Sequence, residues 1–152
     1  MKSKWVLMVL SLLFAVGFVK IFTNTRDGDW TGRPSLSELA RSNEALTLPP
    51  EAIAEASPVF SKVTFMAAVV EGSSDLTVDE VASHYIGLAR TLKWSFKVDR
   101  FRTSSRILVF CDGRLSRAIE IMPVRNGVRI YSGTYWDTEV RSEKYCRASK
   151  SG

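Results

Sequence analysis

The run RILVFCDGRLSRAIEIMPVRNGVRIYSGTYW, residues 106–136, decides the fold. Three apolar-rich segments, 106–111, 115–122 and 128–136, are separated by Asp112-Gly113 and Asn126-Gly127, dipeptides suited to the positive φ angles of two-residue hairpin turns. They predict an antiparallel three-strand meander. With loops centred on those dipeptides, the register pairs Ile121 with Ser132, Ile119 with Thr134 and Arg117 with Trp136. Alternation then sends Leu108, Phe110, Leu115, Ile119, Ile121, Val128 and Ile130 to one face, expected to lie under a helix. Ile107, Val109, Cys111, Ala118, Met122, Tyr131 and Tyr135 go to the second face, among Arg114, Glu120 and Arg129.

The helix to cover the first face lies just upstream, in TVDEVASHYIGLARTLKW, residues 77–94. Thr77 as N-cap with Glu80 at N3 forms a capping box, and Leu76 and Val81 stand at hydrophobic-staple spacing. Val78, Val81, Ala82, Tyr85, Ile86, Ala89 and Leu92 recur at helical spacing as one apolar stripe. After it, WSFKVDRF (94–101) alternates as a strand with Trp94, Phe96 and Val98 on one side. Before it, VFSKVTFMAAVVEG (59–72) reads as one strand. A short helix is expected over Leu36–Leu46 from the Ser35/Glu38 capping box, ending before Pro49-Pro50, with a further turn or two of helix in EAIAEA (51–56). The expected domain is α+β in the order β-α-β-β-β-β, with one principal helix packed on an antiparallel sheet.

The first residues set the compartment. An uncharged apolar stretch runs from Trp5 to Val19 and continues past Lys20 as Ile21 and Phe22, close to the roughly 17 to 25 residues a bilayer helix needs. Lys2 and Lys4 orient it with the N-terminus inside. Residues 1–22 are therefore expected to be a single-pass transmembrane signal anchor, 23–33 a polar linker, and 34–150 a domain outside the cytoplasmic membrane. Ala15-Val16-Gly17 offers the alternative of a cleaved signal sequence; either way the domain is exported. Cys111 and Cys146, the sole cysteines, then read as a disulfide of an oxidising compartment.

The chain carries a formal net charge of +5. Residues 23–89 hold four basic against ten acidic side chains, and residues 90 onward hold fourteen against six. Without a run of consecutive basic residues, the two halves read as neutralising each other rather than as a nucleic-acid surface. His84, the one histidine, stands on the polar side of the 77–94 helix with Glu80 a turn before it; no orienting group or further ligand accompanies it in the sequence. Asp75, Asp79 and Glu80 are explained by the helix N-terminus, and no cofactor or metal is expected.

Arginines flank the hairpin turns, at 114, 117, 125 and 129, where edge and turn charges discourage sheet-to-sheet pairing. The sharper expectation joins Arg114 and Arg129 to Tyr131, Tyr135 and Trp136 as an arginine-aromatic binding surface. The layout of an anchored small α+β domain with a cysteine pair resembles that of envelope-located immunity proteins that neutralise secreted toxins, and equally that of accessory subunits of membrane complexes. The expected function is accordingly a non-enzymatic, membrane-anchored binding domain with a protein partner in the envelope. Binding of an anionic envelope polymer by the basic C-terminal half is the alternative, and a hydrolase built on His84 the third reading.

Overall fold

The computed structural model describes residues 32–138 and Cys146. The anchor at 1–22 and the linker up to residue 31 lie outside the described residues, and no helix among those described is long and apolar enough to cross a membrane. The elements run α1 (Leu36–Glu44), β1 (Ile53–Ala56), β2 (Val59–Ser61), β3 (Phe65–Ser74), α2 (Val78–Thr91), β4 (Ser95–Arg102), β5 (Ser105–Asp112), β6 (Leu115–Val124) and β7 (Gly127–Asp137). The α+β class holds: two helices accompany an antiparallel sheet of seven strands, ordered β1-β3-β7-β6-β5-β4, with β2 also on β3.

Both capping boxes form. In α1 the Ser35 backbone N–H donates to Glu38 Oε2 at 2.7 Å, and the Glu38 N–H donates to Ser35 Oγ at 3.2 Å. In α2 the equivalent bonds join Thr77 and Glu80 at 2.8 and 3.3 Å. These bonds satisfy N–H groups that the first helical turn leaves without a partner.

The expected faces are observed although the turns are not those expected. Asp112 pairs with Leu115, so Gly113 (φ 57°) and Arg114 are the central residues of the first turn. Val124 pairs with Gly127, and Gly127 itself takes the positive φ, 109°. The second register therefore pairs Ile121 with Ile130, Ile119 with Ser132 and Arg117 with Thr134, two residues from the expected one. A two-residue slip preserves alternation, which is why the face assignments survive it.

Both helices lie on the first face. α2 buries Val81, Ala82, Tyr85 and Ala89 against Leu108, Phe110, Ile119, Ile121, Val128 and Ile130. α1 presents Leu39 to Met66, Ala68 and Trp136, with Leu115 beside them. On the second face Ile107, Val109 and Ala118 cluster with Val98 and Tyr135.

Three expected elements differ. EAIAEA is not helical: Ile53–Ala56 is β1, paired with Glu71–Ser73, so sheet pairing overrides the helix preference of its alanines. The stretch 59–72 is two strands, reversed through Lys62–Phe65, where the Lys62 N–H donates to the Phe65 carbonyl at 2.7 Å; no glycine, proline or asparagine marks that turn. The third difference lies in β4, where a bulge between Phe96 and Val98 shifts the register. Phe96 pairs with Phe110 on the helix face and Val98 with Val109 on the second face, so the two do not share a side as alternation implied.

Candidate binding surface

β7 carries the arginine-aromatic residues, and its alternation divides them. Arg129, Tyr131 and Tyr135 form a row on the second face. Trp136 does not belong to it: the indole is 0% exposed and sits under α1 against Leu39, Met66 and Ala68, because adjacent strand residues point to opposite faces. Arg114 closes the far end of the row and donates from Nη2 to the Asp137 carbonyl at 3.0 Å.

Much of the second face is already occupied. Tyr135 lies over Gly133, where an added Cβ would come within 2.7 Å of its hydroxyl oxygen. Burial, with Glu120 nearby, pushes the Tyr135 phenol up from its ordinary pKa. Ser116, Ala67 and Val109 are buried there as well. Cys146 is disulfide-bonded to Cys111 with Cα atoms 5.5 Å apart, which sets this C-terminal residue against the second face. What remains exposed of the expected surface is chiefly Arg129, 3.9 Å from Glu55, and part of Tyr131.

His84 is less solvated than its helix position suggested. Its Nε2 lies 3.1 Å from the Thr47 carbonyl oxygen, so this nitrogen carries a proton and donates. The imidazole thereby ties α2 to the segment after α1. Groups of histidine, cysteine and carboxylate able to hold a metal are absent among the described residues.

The larger surprise is Arg117, expected to flank a turn and found 2% exposed beside the end of α1. Its Nη1 donates to the Ser42 carbonyl at 2.7 Å and to Thr134 Oγ1 at 2.6 Å. Nη2 donates to Ser42 Oγ at 2.6 Å and Asp112 Oδ2 at 2.8 Å. The guanidinium also stands 4.8 Å from the centre of the Trp94 ring. Desolvation pulls its pKa below the ordinary arginine value, opposed by Asp112. Ser42 is in the last turn of α1, so the cation meets the negative end of that helix. Arg117 therefore builds the fold.

Exposed aromatic surface concentrates instead around β4. Phe96 is 57% and Phe101 68% exposed. Beside Phe96 an open, mainly apolar cleft of about 350 Å³ is lined by Ile86, Ala89, Arg90, Trp94, Phe96 and Phe110. Local backbone chemistry makes it. α2 stops with Lys93 at φ 58°, the Lys93 N–H donating to the Arg90 carbonyl at 3.2 Å and the Trp94 N–H to the Ala89 carbonyl at 2.9 Å. This is the Schellman reversal, and it turns Trp94 back onto the helix end. Phe96 meets Phe110 edge-on, ring centres 5.6 Å apart.

Cations border the cleft and continue along β4. Arg90 lines the cleft, and Arg90, Lys93, Lys97 and Arg102 are all exposed. Asp99, the carboxylate of β4, is held by Arg106 through bonds of 2.9 and 2.7 Å, and those bonds keep its carboxyl below the usual carboxylate pKa. Arg106 also reaches Asp79 on α2 at 2.7 Å. Sequence reasoning noted each of these aromatic residues without seeing the cleft, since the signals that create it, a lysine in left-handed conformation and a bulge at Lys97, have no distinctive motif. Neither a family model, a curated protein nor a solved structure matches the chain.

Proposed function

We propose that this chain is a membrane-anchored, extracytoplasmic, non-enzymatic binding domain whose partner is a protein of the cell envelope, as an inhibitor of the immunity type or an accessory subunit of a membrane complex. The observation that carries the binding reading is β4, with the cleft beside its exposed Phe96, the exposed Phe101 further along it and the exposed cations from Arg90 to Arg102. Exposed aromatic side chains next to a concave apolar site and arginine are the composition of interaction hot spots. The Cys111–Cys146 bond supports export, because disulfides persist in oxidising compartments, and the apolar 5–22 stretch supports anchoring.

In-cell cross-linking of the full chain, followed by purification from membranes and mass spectrometry of the chain and what it holds, tests this reading. The expected result is an uncleaved N-terminus, an oxidised cysteine pair and a specific envelope protein. A chain recovered with the soluble cytoplasmic fraction, both thiols free, overturns it. Binding of an anionic envelope polymer is the second reading, favoured by the same four cations; polymer co-purifying without a protein and released by moderate salt would establish it instead.

A further inference from the structure

We propose that the outer edge of β4 receives an extended, acidic segment of the protein partner as an added strand, with one apolar side chain of that segment seated in the cleft between α2 and β4. This rests on the protein-binding reading above and names its surface and the chemistry of the partner.

An edge strand offers a row of backbone N–H and C=O groups that a second chain can complete, and strand addition is a recurring way of recognising extended peptides. Among the described residues β4 pairs with β5 alone, and each of its eight residues except Val98 is exposed. The opposite edge of the sheet is a poorer template. There β1 contributes four residues and β2 three, interrupted by Pro58, which has no N–H to give.

Charge selects the occupant. With Asp99 engaged by Arg106, the field along Arg90, Lys93, Lys97 and Arg102 is positive. Cations and a bulge on an edge strand discourage pairing with neutral strands. A second copy pairing β4 to β4 would oppose lysines and arginines across the junction, which is unfavourable. A strand bearing carboxylates gains where those alternatives lose, so the same residues serve attraction and exclusion. The cleft adds an anchor point. A strand laid beside β4 would run its helix-side residues past Phe96, at the mouth of the pocket it shares with Phe110, and on to Phe101 at the other end of the strand.

The probe is a short capped peptide alternating glutamate with valine and carrying phenylalanine at its centre, titrated against the full chain in detergent micelles by fluorescence anisotropy. Saturable binding is expected. It should weaken at least about tenfold when the glutamates become glutamine, or when the amides along one of its two edges, but not the other, are N-methylated, or in Lys97→Glu/Arg102→Glu and in Phe96→Asp. Peptide changes leave the protein intact, so they decide the matter even if a variant fails to fold. Unsaturable binding, or binding indifferent to N-methylation on both edges and to charge, overturns the proposal, as does sedimentation showing a second copy paired through β4. If Lys97→Glu/Arg102→Glu and Phe96→Asp leave in-cell cross-linking to the envelope partner unchanged, the edge assignment is wrong while the protein-binding reading stands. If the unaltered chain cross-links to no protein, that reading itself fails.

Discussion

A guanidinium taken out of water needs acceptors around it, and Arg117 draws them from α1, from β5 and from β7 at once. Removing it would strand more than its own charge: the Ser42 carbonyl and the Thr134 hydroxyl, itself bonded to Asn43 Oδ1 at 3.1 Å, would lose a buried donor. Arg117→Ala should therefore destabilise the domain by about 2 to 4 kcal/mol, through the buried acceptors left without a donor and the space left by the side chain, while the half-exposed Asp112 regains water. Arg117→Lys should recover little, because an ammonium cannot reproduce a planar fork spanning four acceptors. Urea titration of both variants checks this, and a loss under about 1 kcal/mol for the alanine variant would show the network to be dispensable. Alternation put Arg117 on the face of Ile119 and Ile121, but its burial was not legible: arginine is usually exposed, and Ser42, which accepts two of its bonds, is 75 residues away.

The elements were legible where local chemistry announces them and obscure where distant pairing decides. Capping boxes at Ser35 and Thr77 and the alternation through 106–136 gave both helices, the three-strand meander and its two faces. EAIAEA failed because its partner strand, not its composition, determines its state, and β4 failed at Lys97 because a bulge needs only one unmarked extra residue. The end of α2 shows the same limit: the reversal at residue 93 is built with lysine where glycine is the recognisable signal. The strained φ of 58° supplies a test. Lys93→Gly removes the steric penalty of a left-handed L-residue, about 1 to 2 kcal/mol, and retains part of that gain after the entropy glycine loses on folding. A stabilisation of about 0.5 to 1 kcal/mol in thermal melts is expected, with the cleft and the β4 strand unchanged; destabilisation would mean that the lysine side chain supports the helix end.

At the scale of the whole molecule, carboxylate pairings and a disulfide both contribute to stability, and pH and redox conditions address them separately. Glu38 and Glu80 have carboxyl pKa values lowered by hydrogen bonds from the Ser35 and Thr77 backbone and side chains, and Asp99 by Arg106. A carboxylate with a depressed folded pKa contributes stability that is present above its unfolded value, near 4, and is lost as pH falls through the folded value. The melting temperature should thus be flat near neutrality and fall below about pH 4, and less steeply in Glu80→Gln. A profile that rises with acidification would contradict these pairings.

The Cys111–Cys146 bond closes a separation of 35 residues and joins β5 to a point beyond β7, bracketing β6 and β7 in one covalent loop. Restricting the unfolded chain over such a loop is worth roughly 3 to 4 kcal/mol by chain entropy. Cys111→Ser/Cys146→Ser should accordingly lower stability by about that amount at pH 7. Because the loop begins near the end of β5 and the pairing of β5 with β4 lies outside it except where Cys111 meets Ser95, peptide binding at the β4 edge should persist wherever the variant remains folded. Urea titration beside peptide titration separates the two. If the double variant keeps full stability, the bond contributes nothing to folding; if it folds yet loses the β4 ligand, the C-terminal residues pinned by Cys146 take part in the binding edge.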